Sequence, residues 1–90
     1  MGNKDTLTVV IPTYNRGNLL HKCVKSVISQ SIKPDRIIIV DNGDVRSYSN
    51  SSPPEGVEVI YTETGIGASR ARNVGLELVN TKYVAFLDDD

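Results

Sequence analysis

Apolar positions gather in short runs, separated by stretches rich in Gly, Pro, Asn and Ser. Leu7 to Ile11, Arg36 to Val40 and Tyr83 to Leu87 each hold a near-continuous apolar block. Blocks of this length, bounded by turn residues, predict strands buried on both faces. Pro12 is expected to close the first. Val57 to Tyr61 alternates more, as an edge strand does. Between the first two strands, Leu19, Leu20, Cys23, Val24, Val27 and Ile28 recur at helical spacing and form one apolar stripe, with His21, Lys22 and Lys25 on the other face. Asn15 or Asn18 suits its N-cap. A second helix is predicted from about Gly67 to Val79. Ala68, Ala71, Val74, Gly75, Leu78 and Val79 share one side of it, and small residues there allow a close approach to a sheet. Gly43 to Gly56 is rich in Ser and Asn and contains Pro53-Pro54. It reads as a surface loop with at most one helical turn.

Strand, helix, strand, loop, strand, helix, strand is the pattern of an α/β fold with a parallel, Rossmann-like sheet and right-handed crossovers. The expected strand order is 3-2-1-4, in a three-layer sandwich. Strand order reverses between strands one and four. Open α/β sheets bind ligands at such a switch point, outside the carboxyl ends of the strands.

Ninety residues make one small domain at most. A net charge of −1 lacks the basic excess of a nucleic-acid or membrane-surface binder. Cys23 is the single cysteine, so no internal disulfide forms, which fits a reducing, cytoplasmic setting. No apolar run approaches the about 18–20 residues of a membrane helix.

Three segments follow strands and converge on one sheet edge: Pro12-Thr13-Tyr14-Asn15-Arg16, Asp41-Asn42-Gly43-Asp44 and Asp88-Asp89-Asp90. Three consecutive carboxylates repel one another unless a cation sits between them. Mg²⁺ takes one or two carboxylates plus substrate phosphates. Asp88 and Asp90, at i and i+2 of an extended segment, point the same way and can share one ion. The alternative is a solvated acidic stretch; the apolar strand before it and the Asp41 cluster favour the ion. Arg72 falls at the margin of the second helix's apolar stripe. It points either toward carboxylates or a diphosphate, or into a structural pair with Asp41 or Asp89. Arg70, Asn73 and Glu77 lie on the solvated side. Gly65-Ile66-Gly67 either presents N–H groups to an anion or makes a turn with tight packing. Tyr14 either stacks on a base or covers the sheet end.

Taken together, Val9-Val10-Ile11-Pro12-Thr13-Tyr14-Asn15-Arg16, Ile39-Val40-Asp41-Asn42-Gly43, Gly67-Ala68-Ser69-Arg70-Ala71-Arg72-Asn73-Val74-Gly75 and Tyr83 to Asp90 closely resemble the N-terminal half of family 2 inverting glycosyltransferases with the GT-A fold. The resemblance covers nearly the whole chain after Thr6. It implies a donor site for a nucleoside-diphosphate sugar. Pro12, Thr13, Tyr14 and Asn15 would flank the nucleoside, with Tyr14 near the base. Asp41 and Asn42 would meet the base or ribose, and Arg72 and Asn73 would lie beside the donor. Asp88, Asp89 and Asp90 would form a DxD-type motif carrying Mg²⁺ or Mn²⁺, with Asp90 the direct ligand and Asp89 nearer the ribose.

The resemblance further implies that the acceptor region and catalytic base lie beyond residue 90, so no residue here is assigned as the base. The expected partners are a UDP- or dTDP-sugar and, for the whole enzyme, a saccharide or lipid-linked acceptor. The strand Tyr83 to Leu87 would offer an unguarded edge for self-association. Many members have two aspartates where this chain has Asp41-Asn42, and usually a helix after Gly43. Two other classes compete. A nucleotidyltransferase would carry a Gly-rich basic loop after strand one, and a receiver-type signalling module an acidic pair there. Pro12-Thr13-Tyr14-Asn15 is neither.

Overall fold

The apolar runs assemble into a four-stranded sheet in a computed structural model that describes residues 6–31, 33–49 and 51–89. The elements are β1 (Leu7–Thr13), α1 (Asn18–Ile28), β2 (Arg36–Asp41), β3 (Val57–Tyr61), α2 (Ala68–Glu77) and β4 (Tyr83–Phe86). All strand pairs are parallel and the order is β3-β2-β1-β4, as the pattern predicts. β1 is central, with Val10 level with Ile38 on one side and Phe86 on the other.

Alternate residues along β1 and β2 feed two separate cores, because side chains of a strand point to opposite faces. Val9, Ile11, Ile37 and Ile39 pack with Leu20, Val24 and Val27 of α1. Val10, Ile38 and Val40 pack with Ala71 of α2. Helices therefore lie on both faces, giving three layers. Gly75 lets α2 approach closely: a Cβ there would stand 2.5 Å from Cγ1 of Val10 and 3.3 Å from Cγ2 of Val40. Tyr48, from the loop after β2, packs against the α1 core and partly covers that face. Arg36 ties the far end of the sheet together. Its guanidinium donates to both carboxylate oxygens of Glu58 at 2.8 Å, and to the Leu78 carbonyl and the Asn80 side chain.

Several boundaries differ from the sequence expectation. Pro12 does not close β1, which runs on to Thr13. The strand tolerates it because the β2 side of the ladder continues while the β4 side ends. Leu87 N–H donates to Val10 O, and the parallel register would next require an N–H from Pro12, which has none. β4 accordingly stops at Phe86, Leu87 falls outside it, and the strand, at the sheet edge, is largely exposed rather than buried on both faces.

Neither Asn15 nor Asn18 caps α1. Gly17 occupies that position, at φ 54°, and no side chain caps the helix. Asn15 is drawn away by the loop after β2. Its Nδ2 donates to Asp44 and its Oδ1 accepts from Val45 N–H. α2 is shorter than Gly67 to Val79, and Ala68 and Leu78 are exposed rather than part of the buried stripe. The loop from Gly43 to Gly56 contains no helix or strand among its described residues, as expected.

Candidate functional site

The carboxyl ends of β1, β2 and β4 and the start of α2 enclose a cavity of about 570 Å³. It lies at the β1–β4 switch point. Pro12, Thr13 and Tyr14 contribute one wall, with the half-exposed Tyr14 ring beside it. Asn42, Gly65 and Gly67 form the floor toward α2, and Arg16, Arg72, Asp88 and Asp89 supply the charge. Since α2 has no side-chain cap, the N–H groups of its first turn have no partner within the helix. Gly67 and Ala68 bring that positive end of the helix dipole to the cavity wall.

The two aspartates differ in their engagement. Asp89 is buried; Thr13 Oγ1 donates to its Oδ2, and Arg16 Nε lies 3.5 Å from its Oδ1. Both of its oxygens are thus occupied by protein. The Asp88 side chain is 67% exposed and accepts one bond, at 3.0 Å, from Arg72 Nη2. Below them, Cys23 of α1 points its thiol at the Asp88 carbonyl at 3.8 Å. Burial, and secondarily the Asp89 charge, push the Cys23 thiol pKa up. It therefore stays a protonated, weakly reactive group under the acidic segment.

A sequence profile described as glycosyl transferase family 2 matches residues 8–90. The chain belongs to glycosyl transferase family 2. Curated relatives agree. The uncharacterized glycosyltransferase YibD of Escherichia coli (strain K12) is 35% identical over 100% of this chain and 27% of its own length. Glycosyltransferase GlyA of Streptococcus pneumoniae serotype 4 is 37% identical over 96% of this chain and 13% of its own. TuaG of Bacillus subtilis (strain 168), a glycosyltransferase whose name ties it provisionally to teichuronic acid biosynthesis, is 35% identical over 97% of this chain and 36% of its own. The chain thus spans well under half the length of these relatives.

Within this family member, the residues singled out from the sequence fall into three groups. Pro12, Thr13, Tyr14, Asn42, Arg72, Asp88 and Asp89 meet at the cavity. Asn15 and Asp41 line instead a neighbouring cavity of about 300 Å³, together with Arg46 and Ser47. Asp41 is 2% exposed, and its carboxylate accepts from Gly43 N–H, Ser47 N–H and Ser47 Oγ. It shapes the loop that follows β2. His21 Nε2 supports that loop from α1 by donating to the Ser47 carbonyl at 3.1 Å. Asn73 is exposed and does not line the main cavity. Asp90 lies outside the described residues.

The sequence reading assigned Arg16 no role, although it follows the same strand as Tyr14. Its signal was a lone cation facing an acidic run. Arg72 pairs with Asp88 rather than with Asp41 or Asp89. Among the described residues no three His, Cys, Asp or Glu side chains form a cage for a metal ion. An ion held jointly by one or two carboxylates and a diphosphate requires no such cage. The largely exposed Asp88 carboxylate offers hard oxygen to it.

Proposed function

We propose that these ninety residues form the donor-binding part of a glycosyltransferase that takes a nucleoside-diphosphate sugar and passes the sugar to an acceptor hydroxyl with inversion. The supporting observation is the cavity at the switch point. It combines an aromatic ring, two arginines, two carboxylates and a helix N-terminus. Tyr14 and Pro12 suit the flat base and ribose, and stacking on a tyrosine ring favours a nucleobase. Arg16, Arg72 and the first turn of α2 suit the diphosphate, an anion that charged donors and helix N-termini both recognise. Asn73, on the solvent side of α2, would reach the donor only at the cavity's outer rim.

Asp88 and Asp90 would hold a Mg²⁺ or Mn²⁺ ion, which when bound neutralises charge on the departing nucleoside diphosphate. Asp89, locked by Thr13 and Arg16, would set the backbone position of Asp88. Asp41 would hold the loop beside the base. The donor is a UDP- or dTDP-sugar. The acceptor, a saccharide or lipid-linked molecule, and the base that takes its proton belong to the remainder of the enzyme. The edge of β4, with Tyr83 and Phe86 exposed, offers a surface for self-association. Among the described residues no helix is long and apolar enough to cross a membrane, and a cytoplasmic setting suits a nucleotide-sugar user.

Isothermal titration with UDP, dTDP, GDP and CMP, with and without Mn²⁺, tests this reading. Expected is Mn²⁺-dependent binding of UDP or dTDP, weakened by on the order of 1–3 kcal/mol in Asp90→Asn. Binding no tighter than that of inorganic phosphate would overturn it.

A further inference from the structure

The two cavities share Thr13 and Arg16 as a common wall, so the smaller one continues the main cavity toward β2. Most of its polar lining is already engaged with protein. Thr13 Oγ1 donates to Asp89, and Arg16 lies beside the same carboxylate. The Asn15 amide is bonded to the loop after β2. Asp41 accepts from Gly43 N–H and from both the N–H and the Oγ of Ser47. Arg46 is the exception. Among the described residues it makes no hydrogen bond and no ion pair, and its guanidinium lies over the Tyr61 ring, with Cζ 4.4 Å from the ring centroid.

An exposed arginine ordinarily samples many rotamers. This one is held at both ends. Its backbone leads into Ser47, whose N–H and Oγ donate to Asp41 and whose carbonyl accepts from His21 Nε2 at 3.1 Å. Its head rests on Tyr61, the last residue of β3, which stands level with Asp41 on β2. Stacking occupies one face of the planar group by a cation–π contact. The N–H donors lie in the plane, so the stack leaves them unused at its edge. The hydrogen-bonding capacity still open in this cavity is therefore mainly that of a donor.

Pyrimidine bases differ in what they offer such a donor. Uracil and thymine carry a carbonyl at ring position 4, where cytosine carries an amino group. Against a fixed guanidinium edge the carbonyl gains a charge-assisted hydrogen bond. The amino group would set N–H against N–H and leave both unpaired.

We propose that Arg46 is a specificity-determining residue of the donor site, which selects a pyrimidine with a carbonyl at ring position 4 over one with an amino group there. The inference rests on the donor-site reading, with the nucleoside at Pro12 and Tyr14 and the edge of its base toward the smaller cavity. Tyr61 is then a positioning residue that acts through Arg46.

The test is calorimetric titration of the unaltered protein, Arg46→Ala and Arg46→Glu with UDP and with CDP, each with Mn²⁺. The two nucleotides share ribose and diphosphate, so the ratio of their affinities reports the base alone. The unaltered protein should favour UDP by about tenfold, the scale of one charge-assisted hydrogen bond. Arg46→Ala should bring the ratio to within about threefold of unity, through loss of UDP affinity. Arg46→Glu should move it further toward CDP, because a carboxylate accepts from the cytosine amino group. Its repulsion of the diphosphate weakens both nucleotides alike and cancels in the ratio.

Arg46 is exposed and lies outside both apolar cores, so the variants should melt with the unaltered protein. Equal weakening of UDP and CDP in Arg46→Ala would make Arg46 a general cation beside the diphosphate and overturn the proposal. So would a ratio near unity in the unaltered protein, or one that is the same in all three proteins. In each of those cases UDP still binds and the donor-site reading stands. If the unaltered protein binds neither nucleotide better than inorganic phosphate, the donor-site reading falls and the assignment of Arg46 falls with it.

Discussion

The hydroxyl of Thr13 donates to the buried carboxylate of Asp89, joining the last residue of β1 to the acidic segment 76 positions later. With Arg16 on the other oxygen, Asp89 is held from two directions by the segment that follows the central strand.

Thr13→Val should therefore destabilise the protein by about 1–3 kcal/mol, because it leaves one oxygen of a buried carboxylate without its donor. Thr13→Ser, which keeps the hydroxyl, should cost under half as much. Urea unfolding of the three proteins checks the order. Equal stability of Thr13→Val and the unaltered protein would show that water replaces the bond.

Arg72→Ala should weaken UDP binding by about tenfold, as loss of a charged contact to a diphosphate does, while Arg70→Ala should not. Arg72 lines the cavity and pairs with Asp88, whereas Arg70 is exposed to solvent. Both should change stability by under about 0.5 kcal/mol, since a surface ion pair contributes little. Calorimetric titration and thermal melts measure the two effects separately. Equal affinities for the two variants would contradict the placement of Arg72.

Gly75→Ala should be destabilising by about 1–3 kcal/mol despite the better helix propensity of alanine. The added Cβ meets Val10 Cγ1 at 2.5 Å, between two packed layers. Adding Val10→Ala to it removes the opposing methyl groups and should recover part of the loss. A double-mutant cycle gives the coupling, and strict additivity would argue against the clash.

Acidification should act on the Arg36–Glu58 pair. The two hydrogen bonds from Arg36 hold the Glu58 carboxyl below its usual range. For a depressed carboxyl, the stabilisation is complete above the unfolded pKa and is lost as pH falls through the folded one. Glu58→Gln should thus be less stable than the unaltered protein near neutral pH, and the difference should shrink in acid. Because the Glu58 side chain is 44% exposed, the effect should be modest, roughly 0.5–1 kcal/mol. Unfolding free energies between pH 3 and pH 7 trace it. A constant difference would place the interaction elsewhere.

Hydrophobic pattern alone determined the four strands, the two helices and the parallel order. Strands buried on both faces need apolar side chains at successive positions, so Ile37 to Val40 announces itself locally. Long connections between such strands leave right-handed crossovers as the economical path. The meeting of three post-strand segments at one edge follows from that order, which is why Tyr14, Asn42 and Asp88 could be grouped before any geometry was known. Tertiary structure decided which polar atoms remain available there.

Asp41 and Asn42 are neighbours in sequence and equally polar, yet one carboxylate is consumed by a loop and the other side chain spans two cavity walls. Asp41 is the last residue of β2 and Asn42 the first beyond it, so a single step along the chain separates the two roles. Arg72 and Asn73 diverge for the same reason on a helix, where one residue is about 100° of rotation. Hydrophobic burial is a property of each residue's own surface and survives such small rotations. A hydrogen bond depends on two groups meeting within a few tenths of an ångström, and that meeting exists only once the chain has packed.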